Sequence, residues 1–349
     1  MIVHKASVSD IVDRCRRLCR PVIAGGPLFT TGHAAFPNIG HFVLGEAEEL
    51  MPQLIEDMRC GTLRHTYAAP SRPDVARVPA PRWDLIDLRH YVTMSVQFSR
   101  GCPFDCEFCD IIVMNGRVPR TKSPAQLIAE LEQLRLHGWQ DMVFVVDDNF
   151  IGNKKQAKAL LRELIRWRTR TRTKMAFMTE ASANVADDPE LCDLMVRAGF
   201  KKVFVGFETP STESLEECRK MQNCGRDLVE TVKTLQRAGL EVMGGFIVGF
   251  DNDPTDIFQR QFEFIQRSGV VTAMVGLLTA LPETQLYRRL KDEGRLEAES
   301  TGNNTQAALN FRPKLDREFL VNGYRKLMKE LYEPRNYYQR IRTFLEHHR

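Results

Sequence analysis

Three cysteines, Cys102, Cys106 and Cys109, stand in the spacing C-x-x-x-C-x-x-C. Thiolates gathered on one short loop suit a soft metal. Three of them can hold three irons of a cubane iron–sulfur cluster and leave the fourth iron open to another ligand. Zinc competes for the same residue type, but a structural zinc takes four ligands, often as two pairs. No fourth Cys or His stands nearby in the sequence. Three buried thiols without a metal fit poorly beside Gly101, Pro103, Asp105 and Glu107. The other cysteines form no obvious second set. An odd total of nine in 349 residues argues against a secreted disulfide framework.

A second constellation is acidic. Asp147, Asp148, Glu180 and Glu208 each follow a short apolar run that reads as a strand. Active sites of β/α barrels gather at the C-terminal ends of their strands. Any one of these carboxylates could be a solvated loop group or a helix cap. Four at successive strand ends argue for a set that faces a ligand.

The elements that would position both groups read as α/β. Strands are predicted over 93–98, 142–146, 175–179, 203–206, 241–248 and 271–277, alternating with helical patterns. Such alternation implies a parallel sheet with right-handed crossovers. Six units are two short of a closed eight-unit barrel, so residues 93–290 read as an open, partial six-stranded (β/α) barrel. Upstream, 22–24 and 41–44 are short strands that run into Gly25-Gly26 and Gly45-Glu46. A doubly wound domain carries five or six strands. Residues 1–65 therefore read as a partial Rossmann-like α/β segment, and the chain is expected to begin inside a fold. Residues 66–92 read as a linker broken by Pro70, Pro73, Pro79 and Pro81. Residues 291–349 read as a helical extension, with Leu320, Tyr324, Leu327 and Leu331 on one face.

Composition narrows the functional classes. Hydrophobic residues at 43% and charged residues at 27% exclude a disordered chain. A formal net charge of +4 is too mild to demand a nucleic-acid partner. The basic run Arg166, Arg168, Arg170, Arg172 and Lys174 could touch RNA phosphates, but Trp167 is its one aromatic. No apolar run approaches the ~20 residues of a membrane span. Residues 1–10 lack the apolar stretch of a signal peptide. The expected compartment is the cytosol.

The cysteine spacing, with Phe108 just before the last cysteine, resembles the motif of the radical S-adenosylmethionine (SAM) enzymes. The resemblance covers about residues 93–290. It implies a [4Fe–4S] cluster held by Cys102, Cys106 and Cys109, whose open iron chelates SAM, and an external electron donor such as a flavodoxin or ferredoxin. By the same resemblance Phe108 belongs to the cofactor site. Asp147-Asp148-Asn149 lies where the methionine ammonium of SAM is bound. Glu180 and Glu208 lie where polar contacts to SAM or substrate are usual. The run 244–249, Gly-Gly-Phe-Ile-Val-Gly, resembles a strand that packs on adenine. The turn 281–287 resembles the P-x-T-x-L-Y turn after the sixth strand.

Residues 22–27 and 42–46 resemble the second half of the cobalamin-binding domain that precedes many radical SAM methylases. Gly25, Gly26, Gly45 and Glu46 would then pack around the nucleotide tail of cobalamin. The blocks 83–87 and 99–122 and the helical tail resemble the methylase branch that includes hopanoid C-2 methylases. That branch implies C-methylation of an unactivated carbon in a lipid-like or tetrapyrrole-like small molecule. The D-x-x-H-x-x-G motif that supplies the lower axial ligand of the corrin is absent, which weighs against cobalamin binding by this chain. Two alternatives stand beside this reading. One is a cobalamin-independent radical SAM oxidation or rearrangement. The other is a non-catalytic, metal-stabilised RNA-binding protein.

Overall fold

The computed structural model describes residues 4–302 and 307–348. Its N-terminal part runs α1 (Lys5–Arg17), β1 (Ile23–Gly25), α2 (Pro27–Gly32), β2 (His41–Leu44), α3 (Met51–Cys60) and β3 (Thr66–Ala68). The strands pair in parallel in the order β1-β2-β3. Gly26 and Gly45 follow the first two strands at φ +91° and +80°, a conformation that a side chain disfavours. The strand β3 corrects the boundary expected at residue 65. Tyr67 is buried there and donates its phenol to Asp57 Oδ2 at 2.8 Å. Tyr67 is its one large apolar residue and Pro70 follows closely, so it reads as linker in the sequence. Residues 69–93 carry only the 3₁₀ turns Val75–Arg77, Trp83–Leu85 and Leu88–His90, consistent with their prolines.

The larger part begins with β4 (Met94–Val96), β5 (Ser99–Arg100), α4 (Ile111–Met114), β6 (Arg120–Thr121) and α5 (Pro124–Leu136). It continues through β7 (Met142–Val145), α6 (Lys154–Thr171), β8 (Ala176–Ala181), α7 (Pro189–Ala198) and β9 (Phe200–Glu208). Next come α8 (Thr212–Glu217), α9 (Leu228–Ala238), β10 (Glu241–Val248), α10 (Ile257–Ser268) and β11 (Ala273–Leu277). Six strands pair in parallel in the order β4-β7-β8-β9-β10-β11, with β4 and β11 as free edges. This is the open six-stranded arrangement expected from the count. The antiparallel pair β5–β6 stands apart and brackets the cysteine loop.

Alternation along the strands decides which residues reach the lumen. One face, including Val143, Val145, Phe177, Val203, Val205, Phe207, Val242 and Phe246, is buried in one apolar core with Leu127, Leu131, Leu160, Leu164 and Ile265 of the helices. Each such side chain contributes about 1.5–3 kcal/mol. The opposite face is less covered: Phe144, Met178, Phe204 and Ile247 are half-buried.

The C-terminal segment adds α11 (Gln285–Asp292), α12 (Arg317–Leu331) and α13 (Pro334–His347). The buried Arg340 anchors α13 by donating to Leu331 O and to Gln266 Oε1 at 2.9 Å, with its guanidinium over the Tyr332 and Tyr337 rings. No helix among the described residues is long and apolar enough to cross a membrane.

Candidate functional site

The three cysteines lie on the loop after β5, at the C-terminal mouth of the barrel. The loop is tied to the end of β7 by consecutive residues. Asp147 accepts from Phe98 N at 2.7 Å, Ser99 N at 2.9 Å and Ser99 Oγ at 2.7 Å. Asp148 Oδ2 accepts from Gly101 N at 2.7 Å and Asn115 Nδ2 at 2.9 Å. Asn149 Nδ2 donates to Cys102 Sγ at 3.7 Å and to Ser182 Oγ at 3.1 Å. Gly101 sits at φ +98°, and a Cβ there would lie 2.9 Å from Gly116 O. Only glycine fits between the strand and the first cysteine.

This geometry corrects the expectation for Asp147. It shares the helix-side face with Val143 and Val145, is 1% exposed and has both oxygens engaged. Burial pushes its carboxyl up to about 6 despite those donors. It positions the loop. Asp148 is on the lumen side, and its Oδ1 takes no bond from a described residue.

Cys106 is buried, and Cys102 and Cys109 are half-buried. Burial pushes the Cys109 thiol up to about 12 and raises that of Cys106, so a metal must displace the proton. Gln222 Nε2 donates to Cys106 Sγ at 3.6 Å. Gln222 Oε1 is buried without a partner. Lys220 pairs with Glu208 at 2.7 Å, and its charge acts on both Cys106 and Cys109. Amide donors and a buried ammonium around three thiols fit a polythiolate cluster, whose negative charge they offset. No three His, Cys, Asp or Glu side chains among the described residues are grouped to hold one metal ion. A cubane asks for a wider arrangement, with one thiolate per iron.

Other expected residues take different places. Glu208 is held by Lys220 rather than left open, and it sits at φ +65° beside a register shift. Phe108 packs against Phe250 at 6.1 Å, with Lys220 Nζ 6.0 Å from its ring centroid. The Glu180 carboxylate has no hydrogen bond or ion pair with a described residue. Burial and the charge of Asp148 raise its pKa. Gly244 and Gly245 accommodate rings: Cβ atoms there would lie 2.6 Å from Phe246 and 2.7 Å from Phe204. Trp167 is buried and donates to Glu132 Oε2 at 2.8 Å, so it presents no face for base stacking.

The N-terminal unit touches the site through Glu46, which receives Arg100 and Arg120 at 2.5 Å each. Glu46 therefore joins the two units by ion pairs. Its partners lie 54 and 74 residues away, beyond any local pattern. Gly25, Gly26 and Gly45 do share a cleft of about 450 Å³ with Val43, Met51, Leu54, Ile55 and Met58. A larger chamber of about 920 Å³ opens between α2 and the barrel mouth. Leu28, Phe36, Ile111, Met114, Leu281 and Pro282 supply much of its wall, and among the described residues Asp110, Asp148, Glu283 and Glu299 face it against one cation, Lys5.

A second buried aspartate repeats the loop-pinning device of Asp147. Asp253 accepts from Ser214 Oγ at 2.7 Å, Gly249 N at 2.7 Å and Phe250 N at 3.1 Å. Burial raises its pKa from 3.8 to about 6. Between those values the native state holds the extra proton, so this contribution to stability is full below 3.8 and is lost as pH rises through about 6. Asp253→Asn is expected to remove about 3 kcal/mol of that pH dependence, read by urea unfolding of the metal-free protein from acid to neutral pH.

The chain shares its fold with two solved cobalamin-dependent enzymes. One is the radical SAM methyltransferase TsrM of Kitasatospora setae, solved with cobalamin and a [4Fe-4S] cluster. It matches at 20% identity and a TM-score of 0.69, over 86% of this chain and 62% of that one. The other, the cobalamin-dependent SAM radical enzyme OxsB with aqua-cobalamin and SAM bound, matches at 16% identity and a TM-score of 0.71. That match covers 98% of this chain and 61% of the other. At these identities the likeness concerns the fold.

Residues 96–265 match the Radical SAM superfamily, and residues 284–349 match a domain of unknown function (DUF4070). Residues 96–265 of the chain therefore form a Radical SAM domain. It is 44% identical to an uncharacterized methyltransferase of Synechocystis sp., over 99% of this chain and 65% of the relative. It is 34% identical to the hopanoid C-2 methylase of Rhodopseudomonas palustris, over 96% of this chain and 63% of the relative. The chain thus spans a little under two thirds of the length of these relatives.

Proposed function

We propose that the protein is a cytosolic radical SAM enzyme that methylates an unactivated carbon of a hydrophobic small molecule. The observation that carries the reading is the cysteine loop beside two lumen carboxylates. Cys102, Cys106 and Cys109 would hold the [4Fe–4S] cluster, which when bound supplies the electron that cleaves SAM to methionine and a 5′-deoxyadenosyl radical. Asp148 Oδ1 and the Glu180 carboxylate take no bond from a described residue, and they suit the ammonium and sulfonium charges of SAM. Asn149 and Gln222 stabilise thiolate charge, and Lys220–Glu208 does so from behind the loop. The cluster needs an external one-electron donor such as a flavodoxin or ferredoxin.

The chamber favours the lipid-like over the tetrapyrrole-like substrate. Its wall is largely apolar, and among the described residues that line it carboxylates outnumber cations. A substrate bearing carboxylates would meet repulsion there. A methyl donor of the corrin type is supported by the Gly25–Gly26–Gly45 cleft and by the fold of the two solved enzymes. A cobalamin-independent oxidation or rearrangement is the alternative reading.

The test is transfer of label from methyl-deuterated SAM. The reconstituted protein is supplied with hydroxocobalamin and reductant, then offered either an uncharged polycyclic lipid or a carboxylated tetrapyrrole. Label in the lipid supports the reading. Label only in the tetrapyrrole reverses the substrate assignment. Turnover of SAM without label transfer, and without corrin retained on gel filtration, favours the cobalamin-independent alternative.

A further inference from the structure

The segment that matches a domain of unknown function begins at residue 284, and its first helix is built onto the cysteine loop. That loop has little internal support: within it, Cys109 N donates to Cys106 O at 3.2 Å. Its middle is held from outside. Gln285 Nε2 donates to Asp105 Oδ1 at 2.8 Å. Leu286 N donates to Glu107 O at 3.0 Å. Arg289 grips the Glu107 carboxylate with Nε at 2.5 Å and Nη2 at 3.2 Å. These contacts bracket Cys106 on both sides and lie two residues before Cys109.

The grip is itself anchored. Arg289 Nη1 reaches Asp251 Oδ2 at 3.0 Å, just beyond β10, and Arg295 takes Asp251 Oδ1 at 2.6 Å. Glu217 stands 3.6 Å from Arg289 and accepts the backbone N–H groups of Asp251 and Asn252. Glu107 and Asp251 are nearly closed to solvent, with side chains 10% and 6% exposed. A two-pronged guanidinium–carboxylate pair in such a place fixes direction as well as distance. None of the chemistry assigned to the lumen uses Glu107, which points away from it into α11.

We propose that the start of this domain is a clamp that presets the cysteine loop for cluster assembly, with Arg289 and Glu107 as its positioning residues. The proposal rests on the reading that Cys102, Cys106 and Cys109 hold the cluster. A preset loop spares assembly the entropy of ordering eight residues. Releasing it returns that cost to metal binding.

The test compares the full chain with Arg289→Gln, Glu107→Gln, Arg289→Lys and Arg295→Gln. Two readouts are taken: amide hydrogen exchange of residues 103–109 in the metal-free protein, and iron bound after anaerobic reconstitution. Loss of a charged buried hydrogen-bonded pair predicts about tenfold faster loop exchange or more, with a comparable fall in cluster affinity, in Arg289→Gln and Glu107→Gln. Arg289→Lys, which keeps charge but not the fork, is expected to fall between. Arg295→Gln, which touches Asp251 but not Glu107, is expected to keep wild-type loop exchange. Unchanged loop exchange in both Gln variants overturns the clamp, whatever the iron content. Faster exchange with undiminished iron affinity overturns its role in assembly. If the wild type itself takes up no iron, the cluster assignment fails, while exchange still decides whether the clamp exists.

Discussion

Alanine at any one of Cys102, Cys106 or Cys109 is expected to abolish cluster retention and reduce 5′-deoxyadenosine formation to background. With two thiolates left, a cubane loses one of its three protein anchors, and a second open iron is exposed to water and oxygen. The nearby Asn149 and Gln222 are no substitute, since they present amide N–H groups toward sulfur. The neighbouring Cys218 is a useful control. It is 1% exposed, its Sγ donates to Leu215 O, and burial raises its pKa. Cys218→Ala is expected to retain iron. Iron and sulfide per chain, with the visible absorption of the reconstituted protein, read the result.

The second large effect falls on Asp147. Asp147→Ala is expected to cost about 3 kcal/mol or more of folding stability, because three donors lose their acceptor in a site closed to water. Against a total of about 5–15 kcal/mol, such a loss is severe. The loop starts three residues after Ser99, so iron binding is expected to fall with it. Asp148→Asn, one residue along but on the opposite face, keeps an acceptor for Gly101 and Asn115. It is expected to fold normally, load iron, and lose SAM-dependent turnover. Urea unfolding of the metal-free proteins separates the two residues.

That contrast shows how far the sequence could be read. Short apolar runs separated by helical patterns announced the six barrel strands, and the cysteine spacing announced the cluster loop. The facing of Asp147 was harder to see, because Met142–Val146 is apolar throughout and its period of two is hidden. Parity counted from the buried Val143 and Val145 would have separated Asp147 from Asp148. Other assignments depend on partners remote in the chain. Glu46 meets Arg100 and Arg120, Glu208 meets Lys220, and Glu107 meets Arg289 182 residues away. Each looked like a free charge until the fold supplied its counter-ion. The strand β3 was missed because Tyr67 is its one large apolar residue and Pro70 follows closely.

In the proposed function Cys102, Cys106 and Cys109 would hold the cluster that cleaves SAM, and the lumen carboxylates would bind SAM beside it. The most direct test of this reading is anaerobic reconstitution with iron and sulfide, addition of SAM and dithionite, and chromatography for 5′-deoxyadenosine. The expected result is 5′-deoxyadenosine that depends on reductant, persists in Cys218→Ala and vanishes in Cys106→Ala. A wild-type protein that holds a reducible four-iron cluster yet leaves SAM intact would contradict it.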